Sequence, residues 1–187
     1  MTAVVFAAPY GLDSTLRFLT AAAALPDVDF GVVSHEPADS FLQKLPPEHR
    51  SLISAHAQVA NALDPDQLES GVREAARQLN GRVDALIGIL EPMQEPLAIV
   101  RERLGIRGMD AEEARRFRDK AHMKDVLRAN DLPCARHCLA TNPDEALAFA
   151  AEHLPLVAKP PAGAGAIDTF RVEETSQLET WMAPTPP

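Results

Sequence analysis

Leu154–Val172, LPLVAKPPAGAGAIDTFRV, sets two β-like apolar runs, Leu154 to Ala158 and Ile167 to Val172, on either side of a loop with glycines at 163 and 165. It predicts a hairpin with a glycine-bearing connection. Without a Cβ, the backbone at Gly163 and Gly165 is able to approach an anion closely, so the loop is a candidate phosphate flap. It is not a Walker A loop, because no G-K-[ST] follows. Nor is it a dinucleotide fingerprint, because it leads into a strand where that motif must open a helix. On the two glycines alone, a plain hairpin turn stays open as a reading. Lys159 ends the first run and places an ammonium at the base of any phosphate held under the loop; taken alone, it also reads as a solvated strand-end lysine.

Working outward, Thr175 opens a short helix through Trp181, and Ala183 to Pro187 carry three prolines that cannot continue it. Upstream, Asn142, Pro143 and Glu145 announce a helix to about His153, with cap, first-turn proline and capping-box partner in order. A short strand is expected at about Cys134 to Leu139. Before it, Asp110 with Glu113 forms another capping box, and Ala114 and Phe117 start an apolar stripe. Lys124 and Arg128 then occupy that stripe while Met123, Val126 and Leu127 carry the apolar face, so the phase slips. The helix is expected to break near Asp119, which would cap a new one from Lys120.

The first hundred residues alternate short apolar runs with longer helical patterns. The runs are Val4 to Ala8, Gly31 to Ser34, His56 to Ala60 and Ala85 to Leu90. Between them, Ser14 to Leu25 has helical spacing, Asp64, Pro65 and Gln67 mark a helix start, and a helix at about Glu95 to Leu104 ends at Gly105. This rhythm predicts an α/β fold: a Rossmann-like parallel sheet wrapped by helices over residues 1–108, then a small α+β subdomain over 109–182 and a Pro-rich tail at 183–187.

A formal net charge of -9, from 18 Lys and Arg against 27 Asp and Glu, disfavours a nucleic-acid partner but leaves a local pocket free to hold a small anion. No run reaches the roughly 18 apolar residues of a membrane helix, and no basic leader precedes the first apolar stretch, so a cytoplasmic location without membrane contact is expected. Cys134, His137 and Cys138 in CARHC lack the second ligand pair of a structural zinc site, and two reduced thiols are expected. The histidines show no H-x-x-x-H or H-E-x-x-H spacing. Glu91, Gln94 and Glu95 follow the fourth run and either line a ligand pocket at the sheet edge or serve as helix-start acids. The chain has four lysines, and Lys120 and Lys159 take two position-sensitive places; a compact ammonium suits phosphate oxygens.

In order and spacing, LGIRGMDAEEARRFRDKAHMKDVLRANDLP followed by a helix and LPLVAKPPAGAGA resembles the ATP-grasp superfamily of carboxylate-amine ligases and biotin-carboxylase-like enzymes. The family's L-G-[IL]-x-G corresponds to Leu104–Gly108, its R-D-K to Arg118–Lys120, its G-[IL]-P turn to Asp131–Pro133, and its P-x-V-x-K-P to Pro155–Pro160. By this resemblance Lys120 and Lys159 contact ATP phosphates, and Gly163 and Gly165 lie in the flap that closes over them. Three departures stand out. Ala166 replaces a frequent serine, Ile167 and Asp168 stand where a further glycine is expected, and Asp131 replaces the turn glycine, which an aspartate tolerates in a left-handed conformation.

The resemblance implies the ATP-binding portion of a ligase that activates a carboxylate as an acyl phosphate and joins it to an amine or similar nucleophile. Adenine-hinge residues and the magnesium ligands are then expected outside this chain, which by itself has no assigned catalytic or metal-binding residue and would be inactive. Two charged contacts of about 1.5–3 kcal/mol each, offset by ordering the flap, lead us to expect millimolar or weaker ATP binding by the chain alone. The alternatives are a non-catalytic nucleotide or small-ligand module using the sheet edge near Glu91, and a structural or interaction protein binding neither ligand.

Overall fold

The computed structural model describes residues 1–182; the expected tail at 183–187 lies outside the described residues. The chain divides into two compact units, Met1–Ala114 and the residues from Arg115 on. The boundary expected from the sequence lies at 108.

In the first unit, β1 (Thr2–Ala7), β2 (Val28–Ser34), β3 (Ile53–Gln58) and β4 (Ala85–Ile87) form a parallel sheet in the order β3-β2-β1-β4. Around it run α1 (Asp13–Ala23), α2 (Ala38–Gln43), α3 (Pro47–Arg50), α4 (Pro65–Gln78) and α5 (Gln94–Leu104), followed by α6 (Ala111–Arg118). The expected α/β class is therefore the observed one. Strand side chains alternate between faces. Ala3, Val5 and Ala7 of β1 join a core with Leu68 and Val72 of α4 and Leu97 of α5. Val4 and Phe6 turn the other way, to Leu19 of α1, Phe30 of β2 and Phe41 of α2. Phe6, Phe30 and Phe41 are almost fully buried, each burial contributing about 1.5–3 kcal/mol.

Strand limits differ from expectation where local chemistry intervenes. β3 starts at Ile53 and not His56, because Ala55 and Ala57 supply its buried face. β4 stops at Ile87 and not Leu90: Leu90 caps a 3-10 turn at Glu91–Met93, whose Pro92 cannot donate to a ladder. Asp64 caps α4 as expected, accepting from the amides of Asp66 and Gln67, but the Gln67 side chain reaches back to the amide of Asn61 instead of closing a box. Gly105 ends α5 in the left-handed conformation, φ +64°. The Asp110–Glu113 box is reciprocal, at 2.7 and 3.2 Å.

The second unit contains α7 (Lys120–Ala129), α8 (Pro143–His153), β5 (Leu156–Ala158), β6 (Phe170–Val172) and α9 (Thr175–Met182). Its core is small: Ala150, Val172 and Leu178, with Leu147, Leu154 and Leu156 packed on them. The predicted break at Asp119 is present, and the Asp119 carboxylate accepts from the amides of Ala121 and His122. Asn142 caps α8, while Glu145 accepts from the amide and hydroxyl of Thr141. β5 and β6 pair antiparallel, Leu156 opposite Val172, giving the expected hairpin.

Two expectations fail in this unit. Cys134 to Leu139 is not a strand: among the described residues the small sheet has two strands, and a strand without a ladder partner has no means of satisfying its backbone. The second hairpin run begins at Phe170 and not Ile167. Gly165, Ala166 and Asp168 hold φ of 62°, 58° and 53°, which no extended strand accommodates, and Ile167 stays 69% exposed. The Asp131 expectation holds, with φ 56° in the turn before Pro133.

Candidate functional site

The second unit carries a cavity of about 1330 Å³. The start of α7 supplies Lys120 and, one turn on, Lys124. The end of β5 supplies Lys159, with Pro160 and Pro161 from the loop that follows. Residues at i and i+4 share a helix face, so both α7 lysines reach the same space. Three of the chain's four lysines thus line one cavity. Arg136 and Arg171 add to them, and Asp168 is the single carboxylate in the lining. In a chain of net charge -9 this is a local inversion of sign, and it attracts anions. Phe149 and His153 line the same cavity as a stacked pair, with ring centroids 4.3 Å apart and planes within 6°.

Lys120 does more than line the wall. Its Nζ donates to the carbonyl oxygen of Gly163 at 2.8 Å and to that of Pro161 at 3.4 Å, while its backbone amide also reaches the Pro161 oxygen at 3.0 Å. Arg118 Nη1 donates to the same Gly163 oxygen at 3.0 Å, and Arg118 Nη2 to the oxygen of Ala162. Two cations therefore latch the glycine loop by its carbonyls. Gly163 has no left-handed φ, and a Cβ there would lie 3.3 Å from the Pro160 ring; Gly165 is left-handed with open space around it. Neither glycine lines the cavity, which touches the loop at its two ends. Of the expected site residues, the structure joins Lys120 to Gly163 directly, brings Lys159 to the same cavity, and leaves Gly165 at the exposed crest.

Lys124 is the residue that sequence reasoning passed over. Its one signal is a charge where the continuing Ala114–Phe117 stripe predicts an apolar residue. Burial, and then the nearby Lys159 ammonium, hold its pKa below the ordinary lysine value. Neighbouring His137 is likewise held low, first by burial and then by Arg128, and its Nε2 lies 3.3 Å from Asp125 Oδ1. Cys134 and Cys138 are free thiols, half-buried and exposed. Among the described residues no group of three or more His, Cys, Asp or Glu is placed to hold a metal.

In the first unit, the strand order puts the reversal of direction between β1 and β4, where the carboxyl ends of open sheets take ligands. Glu91 begins the 3-10 turn there, and Glu95 sits in the first turn of α5, where the helix dipole favours acids. Glu36, after β2, accepts from the amide of Gly11 and from Lys44 Nζ, and those bonds keep its carboxyl below the usual range. No helix among the described residues is long and apolar enough to cross a membrane.

No protein-family model and no curated protein sequence matches this chain. Solved structures do match it in fold. An L-amino acid ligase from Bacillus licheniformis superposes with a TM-score of 0.69 at 17% identity, over 97% of this chain and 41% of the ligase. An N5-carboxyaminoimidazole ribonucleotide synthetase solved as its ADP complex gives 0.68 at 14% identity, over 96% and 43%. An N5-carboxyaminoimidazole synthase from Aspergillus clavatus, in complex with ADP and its aminoimidazole ribonucleotide, gives 0.61 at 17%, over 96% and 43%. The chain thus spans less than half the length of these ligases and synthetases, and the likeness shows that it shares their fold.

Proposed function

We propose that the second unit holds the polyphosphate of ATP in the manner of an ATP-grasp ligase, and that the activity it serves is activation of a carboxylate as an acyl phosphate for attack by an amine or similar nucleophile. The observation that carries this reading is the cavity with five cations and one carboxylate in its lining, in an acidic chain, beside a glycine loop. The motif order Arg118–Lys120 and Pro155–Pro160 supports it, as does the fold shared with a synthetase and a synthase solved with ADP.

In this reading Lys120 and Lys159 bind phosphate oxygens as point charges, and the Gly163–Gly165 loop closes over them once anionic oxygens replace its own carbonyls at Lys120 and Arg118. The residues present fit a polyanion. They do not form a magnesium site, since Asp168 is alone in the lining among the described residues, so no step is assigned to that ion here.

Lys159→Ala in the ligation-competent protein is expected to abolish ATP-dependent ligation without unfolding the chain, as read by its circular dichroism spectrum. Retained ligation would reduce Lys159 to a surface charge. The isolated chain is expected to bind ATP at millimolar concentration or weaker; micromolar binding in a titration would contradict a binding surface shared with residues outside it.

A further inference from the structure

We infer that Lys124 is a third phosphate-binding lysine of this cavity, paired with Lys159 on one phosphoryl group while Lys120 takes another one helical turn away, so that the site selects polyphosphates over single anions. The inference rests on the ATP-binding reading above.

Lys124 carries a cost to the fold. It is half-buried on the face of α7 that it shares with Lys120 and Arg128, and it lines the cavity together with Lys120 and Lys159. Among the described residues no carboxylate pairs with it, and its charged neighbours are Lys159 and Arg128, both of its own sign. The other groups facing it are the free thiol of Cys134, which lies 3.7 Å from the Lys124 carbonyl oxygen, and neighbouring His137, itself disfavoured in its charged form. Among the described residues, only Cys134 acts in favour of this charge. The structure elsewhere treats lysine differently: Lys44 is paired with Glu36 at 2.6 Å, and Lys120 is hydrogen-bonded to loop carbonyls. A desolvated, unpaired ammonium held against a second one is an arrangement that an anion stabilises.

The spacing narrows the anion. Cβ atoms at i and i+4 on a helix stand about 5–6 Å apart. Lys120 Nζ is anchored at the Gly163 and Pro161 oxygens while Lys124 has Lys159 as its neighbour, so the cavity presents ammonium groups at two places that successive phosphoryl groups of one chain are able to engage together.

Four lysines make the test spectroscopic. In chain labelled with carbon-13 at lysine Cε, the four resonances are assigned by Lys→Arg variants and followed with pH, then with inorganic tripolyphosphate, monophosphate or acetate at constant ionic strength. We expect Lys124, Lys120 and Lys159 to shift saturably with tripolyphosphate, the Lys124 titration midpoint to rise, and Lys44 to stay still. Lys124→Gln should weaken tripolyphosphate binding about tenfold, the scale of one charged hydrogen bond, and Lys124→Arg should restore most of it. If Lys120 and Lys159 respond while Lys124 does not, or Lys124→Gln binds as tightly as wild type, this inference falls and the ATP reading stands. Monophosphate or acetate binding as tightly as tripolyphosphate overturns the polyphosphate assignment. No response from any of the three lysines overturns both.

Discussion

The latch on the glycine loop yields the most demanding test. Gly163 O accepts from Lys120 Nζ at 2.8 Å and from Arg118 Nη1 at 3.0 Å, so replacing either residue by methionine leaves the oxygen one charged donor. A charged hydrogen bond contributes about 1.5–3 kcal/mol, but these are partly solvated and mutually redundant, so each single variant should release the loop by only about 0.5–1 kcal/mol. The double variant removes both donors and should cost about 2–3 kcal/mol, more than the sum of the singles. The loss is local, because the Lys120 amide keeps Pro161 O and the core at Ala150, Val172 and Leu178 is untouched. The assay is amide hydrogen exchange at Ile167, whose amide donates to the Ala164 oxygen at 3.2 Å within the loop, read beside denaturant unfolding. Each 1.4 kcal/mol of lost protection accelerates exchange about tenfold, so a double variant about 30- to 150-fold faster with an unchanged unfolding midpoint is expected. Strictly additive effects, or no acceleration in the double variant, would refute the shared latch. A fall in the unfolding midpoint matching the exchange would show that these cations hold the unit together and not the loop.

Four further outcomes follow from individual residues. Burial holds the His56 imidazole below its ordinary value, so between that lowered value and about 6.5 the unfolded chain binds more protons; stability is complete above about 6.5 and is lost as pH falls through the folded-state value. His56→Gln should flatten that acid limb in urea melts, and an unchanged slope would remove His56 as its source. Ala166, at φ 58°, should accept glycine with a change in stability within about 1 kcal/mol, because relief of left-handed strain is offset by unfolded-chain entropy. Gly165→Ala, in open space at φ +62°, should cost about 1 kcal/mol from backbone alone, and a neutral result would deny that strain. The Lys124 ammonium, held low, penalises the fold wherever it is charged, that is below its folded-state value, and the penalty fades as pH rises toward the ordinary lysine range. Lys124→Met should therefore raise Tm near pH 7, with the gain shrinking at high pH; a lowered Tm would mean that Lys124 is stabilising.

Much of this molecule was legible in the sequence because local chemistry acts over a few residues. Asp119, Asp64 and Asn142 cap the helices they were expected to cap, Gly105 ends α5, and Asp131 takes the left-handed turn, each being a matter of one side chain and the nearest amides. Apolar runs gave the parallel sheet its strands, since alternation fixes which residues face a core. Tertiary structure decided what local pattern does not encode. Cys134 to Leu139 lacks a strand partner, a fact about the sheet and not about the segment. The turn of Gly163's carbonyl toward Arg118 and Lys120 joins positions more than forty residues apart. Lys124 reads in sequence as a flaw in an amphipathic stripe; only the arrival of Lys159 and the cavity wall beside it makes that charge a feature of a site, because the field at an ammonium is set by everything folded around it and not by its neighbours along the chain.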